Sequence, residues 1–276
     1  MAVRGIGLSR RASVGSDPTK GPHMDSTRHQ GRVALVTGAG SGIGRATAIR
    51  LAREGAEVIG CDIDEEGLEG TRTALEEVGE AAVLHRADIT KQADVDRIVH
   101  EAGPHVDVLA NVAGIMDHFI PLGELDDATW ERVMDVNLTG AMRLSRAVLP
   151  LMRMNDGGAI VTVASEASLH PGAAGTAYAT SKHALIGLVR SVAFYYGPDG
   201  IRSNAVLPGA VETNIGRTST PDVPWAMERA KVALAAMPPR AAQPDQIAAA
   251  ISWLACDEAS DVNGALLTAD GGWCAA

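Results

Sequence analysis

The sequence predicts an α/β fold, a doubly wound parallel β-sheet of about seven strands with helices on both faces. Three observations predict it. Short apolar runs rich in Val, Ile, Leu and Ala alternate along the chain with longer segments of helical character. Glycine- or acid-bearing turns follow several of these runs, as they do at the carboxyl ends of parallel strands. Aromatic residues make up 3% of a chain that is 46% hydrophobic, so aliphatic side chains must fill the core. At 276 residues the chain is long enough for one such domain with a substantial core.

Taken in order, the first strand is expected at residues 33–36, followed by a glycine turn and a helix at 46–53. A second strand covers 57–62, a helix 65–78, a third strand 82–85 and a helix 91–101. The fourth strand is placed at 106–110, a single long helix at 127–152 and the fifth strand at 159–163. A helix at 177–196, a strand at 202–207, a lid segment at about 212–240, a helix at 244–256 and a last strand at 265–268 complete the alternation. In such a sheet ligands sit at the carboxyl ends of the strands. Gly38, Asp62, Asn111, Ser165 and Pro208 all fall at those ends.

Two motifs carry chemistry. In Thr37-Gly38-Ala39-Gly40-Ser41-Gly42-Ile43-Gly44 the glycines bracket a strand–turn–helix, where backbone N–H groups and a helix N-terminus can meet a pyrophosphate. About twenty residues on, Asp62 ends the second strand, where a carboxylate can bind the ribose hydroxyls of NAD and oppose the 2′-phosphate of NADP. Asp62 is equally suited to cap the following helix. Neither Ser41 nor Ile63 offers a compensating cation, and Arg45, on the helix, is expected to point away. NAD(H) is therefore expected in preference to NADP(H). The second motif is Tyr178-Ala179-Thr180-Ser181-Lys182, with Ser165 thirteen residues upstream. Four apart on a helix, Tyr178 and Lys182 share a face. A cation there lowers a phenol pKa from about 10 toward a range usable for proton transfer.

With these motifs in place, the chain resembles the short-chain dehydrogenases/reductases in their single-domain, Rossmann-type form, from Gly31 to Trp273. Asn111-Val112-Ala113-Gly114 is similar to that family's Asn-Asn-Ala-Gly element, with Val112 departing from the pattern. The resemblance implies a catalytic tetrad of Asn137, Ser165, Tyr178 and Lys182. It also implies cofactor contacts from Gly38, Ser41, Gly42, Ile43, Gly44, Asp62, Asp88, Ile89, Asn111, Ala113, Gly114, Tyr178 and Lys182. Pro208, Gly209, Val211 and Thr213 resemble the loop that clasps the nicotinamide carboxamide, and Asp270-Gly271-Gly272 the C-terminal signature. The implied activity is reversible hydride transfer between NAD and a secondary alcohol or ketone, with assembly as a homotetramer. Substrate selectivity in this family lies in three segments. Here they offer Met116 and His118, Glu166 directly after Ser165, and Trp225 with Met227 in the lid; Glu166 is equally suited to face solvent, and His118 and His170 to lie on the surface or behind the substrate contacts.

Other readings are constrained by composition. An NADPH-dependent 3-oxoacyl carrier-protein or CoA reductase has a similar pattern, but the turns at residues 155–158 and 197–200 are acidic, which opposes docking of an acidic carrier. A dinucleotide-sensing regulatory protein is the alternative of another class, and it would not need the complete tetrad. Residues 1–30 carry five basic side chains against two acids and are Gly/Ser/Arg-rich, so a disordered N-terminal extension is expected there, and the domain is taken as 31–276. The whole chain is at −10, which leaves −13 on that domain and argues against nucleic-acid partners. No apolar run is long enough for a membrane span. Three cysteines in no metal-binding spacing suit a reducing, cytoplasmic setting, and no metal site is expected.

Overall fold

The computed structural model describes residues 27–217, 223–238 and 240–275. Seven parallel strands form one sheet in the order β3-β2-β1-β4-β5-β6-β7. They are β1 (Val33–Thr37), β2 (Glu57–Asp62), β3 (Val83–Arg86), β4 (Val108–Asn111), β5 (Gly158–Val163), β6 (Ile201–Pro208) and β7 (Leu266–Ala269). The helices are α1 (Gly42–Arg53), α2 (Glu65–Glu77), α3 (Gln92–Glu101), α4 (Asp127–Met134), α5 (Ala141–Met154), α6 (Thr176–Tyr196), α7 (Asn214–Arg217), α8 (Pro224–Leu234) and α9 (Pro244–Ala255). The predicted doubly wound parallel sheet is what the chain forms.

Alternation along the strands explains the two layers. Ala34 and Val36 of β1 point to one face, where they join Leu51 of α1 and Ile251 of α9. Leu35, between them, points to the other face, with Ile98 of α3 and Leu144 and Val148 of α5. Because parallel strands bury both faces, their residues read as continuous apolar runs rather than as a period of two. The chain order reverses between β1 and β4, both hydrogen-bonded neighbours in the sheet. That reversal opens a crevice at the carboxyl ends of the strands.

Three expectations need correction. The helix expected to run unbroken over 127–152 is α4 and α5 joined by a π-turn, Asp135–Gly140. A turn of this kind adds a residue to the helical circuit and re-aims the side chains on it, here Asn137. β4 ends at Asn111 rather than at residue 110, which carries Asn111 into the strand. The folded part also begins ahead of Gly31: His29 is fully buried and its backbone N–H donates to Glu54 O at 2.7 Å. Its ring lies 3.1 Å from Ser252 Oγ, and Ser252 also bonds Glu54, a pair of contacts that ties this turn to α1 and α9. The expectation of disorder at residues 1–26 lies outside the described residues. Among those described, no helix is long and apolar enough to cross a membrane.

Candidate functional site

A cleft of about 770 Å³ opens at the carboxyl ends of β1, β2, β4, β5 and β6. Its floor is the glycine turn. Gly38 and Gly42 have φ of +69° and +50°, which other residues adopt only with strain. A Cβ on Gly44 would stand 2.0 Å from Gly38 O, so only hydrogen lets α1 pack against the turn. Ser41, the N-cap of α1, makes no side-chain cap hydrogen bond. Among the described residues no side chain caps the first N–H groups of α1, and Gly42, Ile43 and Gly44 line the cleft. Thr37 Oγ1 accepts the N–H groups of Val112 and Ala113 at 2.9 and 3.0 Å, binding the turn to the segment after β4.

Beside this turn, Asp62 Oδ2 accepts from Gly40 N at 3.0 Å and Oδ1 from Asp64 N at 3.0 Å. Asp62 thus lines the cleft and holds the turn into α2, but the N-cap of that helix is Asp64 rather than Asp62. Arg45 is engaged elsewhere: Nη2 donates to Gly40 O and Gly67 O at 2.5 and 3.0 Å, and Nε to Thr71 Oγ1 at 3.0 Å. Asp88 and Ile89 also line the cleft, with Asp88 Oδ1 accepting from Thr90 N at 2.9 Å. So do Ala113 and Gly114, and across from them Pro208, Gly209, Val211 and Thr213. These surroundings fit a dinucleotide: a glycine cradle that a Cβ would fill, uncapped helix N–H groups and a carboxylate at the far end.

Ser165, Tyr178 and Lys182 stand together at the deep wall of the same cleft. Ser165 follows β5, while Tyr178 and Lys182 lie on the first two turns of α6. The Ser165 hydroxyl is near enough to the Tyr178 phenol to favour its ionised form. Lys182 Nζ donates to Val163 O at 2.9 Å and sits 5.5 Å from the centre of the Tyr178 ring. Asn137 lies just behind: Oδ1 accepts from Ile115 N at 2.8 Å, and Nδ2 donates to Ile115 O and Ser181 Oγ, both at 3.0 Å. The π-turn is what lets this carboxamide reach the backbone after β4.

The electrostatics depart from expectation. Burial pushes the Tyr178 phenol up to about 12, against the Ser165 hydroxyl, which lowers it, and with the Asp117 charge raising it further. Burial alone brings Lys182 down to about 8. In a closed wall both groups lose the hydration of their charged forms.

Several residues lie elsewhere than foreseen. Asn111 is absent from the cleft wall: it is buried, and its Nδ2 donates to Ser145 Oγ of α5 at 3.1 Å. Among the substrate candidates, Met116 and His118 do not line the cleft, and His118 and Phe119 form a left-handed turn with φ of 55° and 58°. Trp225 lines a separate hollow of about 670 Å³ between α6 and α8, and Trp225 Nε1 donates to Glu124. Glu166 turns away from the cleft, 2% exposed, with Oε1 2.8 Å from His170 Nδ1. Together with Cys274 these two form a His/Cys/acid cluster, where the sequence showed no metal-binding spacing. Only the return of the chain after β7 brings Cys274 there.

Two features escaped sequence reasoning. Asp117, fully buried, accepts the Tyr178 N–H on Oδ2 at 2.9 Å. Burial raises its pKa above the usual carboxylate value. A polar residue in the loop after Asn-Val-Ala-Gly was the available signal. The π-turn also brings Asp135 to the cleft wall, with Glu131 and Arg132 of α4 beside it.

A family model described as enoyl-(acyl carrier protein) reductase matches residues 38–274. The chain is 39% identical over 261 residues to the 3β-hydroxysteroid dehydrogenase 2 of Eggerthella lenta, covering 91% of this chain and 100% of that protein. It is 41% identical over 250 residues to the cis-4-hydroxycyclohexanecarboxylate dehydrogenase of Sinomonas cyclohexanicum, covering 88% and 97%. Among solved structures, one from Beutenbergia cavernae superposes with a TM-score of 0.81 at 37% identity, covering 91% of this chain and 100% of that one. It is described as a candidate NAD(P)-dependent gluconate 5-dehydrogenase and carries NADP at low occupancy.

Proposed function

Because the chain belongs to the short-chain dehydrogenase/reductase family, and so is a nicotinamide-dependent oxidoreductase of CH–OH groups, we propose that it is an NAD-linked dehydrogenase of a secondary alcohol on alicyclic carbon. The observation that carries this reading is the grouping of Ser165, Tyr178 and Lys182 on one wall of the cleft that the glycine turn floors. Two relatives act, by name, on a hydroxysteroid and a hydroxycyclohexanecarboxylate, both ring alcohols.

The dinucleotide would be held by the N–H groups of Gly42, Ile43 and Gly44, by Asp62 at the ribose end and by Pro208 to Thr213 at the other. When bound, it supplies the acceptor or donor of hydride. The chain's own residues handle the proton. Tyr178 takes it from the substrate hydroxyl in oxidation and returns it in reduction. Ser165 donates to the same oxygen and steadies the charge that grows on it. Lys182 stabilises the phenolate, and Asn137 holds the loop that faces Lys182, since a Cβ on Gly114 would stand 3.3 Å from both Asn137 Oδ1 and Lys182 Nζ. NAD over NADP is supported by Asp62 and by the engagement of Arg45, which leaves no guanidinium of the turn for a 2′-phosphate. Three cysteines without a disulfide support a reducing compartment such as the cytoplasm, and assembly as a homotetramer belongs to the same reading.

The test is fluorescence titration of NADH and NADPH against the purified chain, followed by turnover on ring alcohols and ketones. Tighter NADH binding with turnover on a ring substrate is expected. NADPH preference would overturn the role given to Asp62, and binding without turnover on any ring or open-chain alcohol would overturn the dehydrogenase of alicyclic alcohols.

A further inference from the structure

Behind Ser165, on the side away from the cleft, a second group of reactive side chains converges. Glu166 opens the 3₁₀ turn Glu166–Ser168, and His170 follows four residues later. Cys274 lies in the C-terminal turn Trp273–Ala275, more than a hundred residues further along the chain. β5, β6 and β7 are consecutive neighbours in the sheet, so the segments that leave β5 and β7 emerge at the same end. One ligating atom from each of the three side chains lies within 4.8 Å of the others.

The geometry points to a site for a zinc-type divalent cation built from Glu166, His170 and Cys274. The donor set of carboxylate oxygen, imidazole nitrogen and thiol sulfur suits zinc and its borderline-soft neighbours rather than magnesium or calcium. Three protein ligands leave a fourth tetrahedral position for water. Tetrahedral zinc sets its ligand atoms about 3.5 Å apart, so side-chain rotations of about 1 Å would close the cluster.

A separate observation points to a ligand. Glu166 is 2% exposed, one oxygen is taken by His170, and the other, Oε2, has no hydrogen-bond partner among the described residues. A buried carboxylate oxygen left unpaired is costly. A cation would satisfy it. The His170 side chain is 48% exposed, which leaves a route for an ion from solvent. The turn that carries Cys274 is firmly placed: Asp270 accepts the N–H groups of Gly272 and Cys274 at 2.9 and 2.7 Å, and Trp273 Nε1 donates to Ala233 O at 3.0 Å. Asp270 adds negative charge close to both Glu166 and Cys274.

Binding costs the Cys274 thiol its proton, which passes to solvent, because the thiolate is the ligand. Affinity therefore rises with pH. Once bound, the ion fastens the C-terminal turn to the segment that carries Ser165.

Cobalt titration of the full chain tests this. One equivalent of Co²⁺ should give a near-ultraviolet thiolate-to-cobalt charge-transfer band. Cys274→Ser should lose the band, and His170→Ala should weaken binding about tenfold or more. Cys61 and Cys256, both buried, remain in each variant as internal controls. Zn²⁺ should raise the Tm of the wild-type chain but not of Cys274→Ser, whose Tm in EDTA should match the wild type and so report a folded variant. No band, a band that survives Cys274→Ser, or an equal Zn²⁺ shift in both proteins would overturn the site.

Discussion

Asp117 Oδ2 accepts the backbone N–H of Tyr178 at 2.9 Å, across 61 positions of sequence. Gly175, the N-cap of α6, has no side chain with which to cap that helix. A Cβ there would stand 2.4 Å from Asp117 Oδ1, so the glycine is what admits the carboxylate. The cap comes from the loop after β4, and it fixes the turn on which the phenol stands.

Asp117→Ala should therefore cost about 1–2 kcal/mol of stability through the orphaned N–H of Tyr178. It should also lower kcat more than it raises KM, because the phenol loses its fixed orientation. Asp117→Asn keeps an acceptor oxygen and should restore most of both. Thermal unfolding and steady-state kinetics on the two variants decide it. An alanine variant with unchanged kcat would show that Asp117 only stabilises the loop.

A phenol pushed up to about 12 by burial gives the pH dependence a definite sign. Alcohol oxidation needs the phenolate and should speed up as pH rises. Carbonyl reduction needs the phenol and should slow at alkaline pH. Tyr178→Phe should lose at least about 10²-fold in kcat in both directions and flatten both profiles. Near-normal turnover in the Phe variant would remove Tyr178 from the proton path.

At the other end of the cleft the expected change is in cofactor choice. Asp62→Ser removes the charge that opposes a 2′-phosphate, yet keeps a side-chain oxygen near Gly40 N. The ratio of NADPH to NADH affinity should rise about tenfold, equivalent to roughly 1.4 kcal/mol. Titrating both dinucleotides against the variant reads this directly. An unchanged ratio would mean that Asp62 serves the α2 turn alone.

What could be read in the sequence was whatever depends on local pattern. Glycine spacing, an acid at a strand end and a Tyr/Lys pair four apart are short-range signals, and each located its residue in the cleft wall. Residues whose roles arise from packing were not legible. Asn111 looked like part of the wall, but extending β4 by one residue rotates its side chain onto Ser145. Asn137 lies behind the cleft wall, bonded to Ile115 and Ser181, and the π-turn that aims it has no signature in Val136-Asn137-Leu138. Glu166, next to Ser165, suits either a substrate contact or a place in solvent by sequence, and takes neither. Adjacent residues leaving a strand point to opposite sides, so the neighbour of a cleft residue is buried away from it. Asp117 and Cys274 act across long separations, and no local pattern announces them.

Lys182 yields the last prediction. Burial brings its ammonium down to about 8 from an ordinary 10.5, so the folded protein favours the neutral amine. For a depressed pKa, the stability it contributes is fully present above the unfolded value and is lost as pH falls through the folded one. Wild-type stability should accordingly decline between about pH 10.5 and pH 8 by an amount that a variant without the amine does not share. In Lys182→Met the hydrogen bond to Val163 O is lost at every pH, and that cost cancels when the two pH values are compared. Relative to wild type, the variant should gain on the order of 3 kcal/mol between pH 10.5 and pH 7, while its turnover collapses. Urea unfolding of both proteins, without dinucleotide, at the two pH values measures the difference. Parallel pH slopes would mean that water or relaxation keeps the ammonium solvated. The site would then hold its charge at little cost in stability.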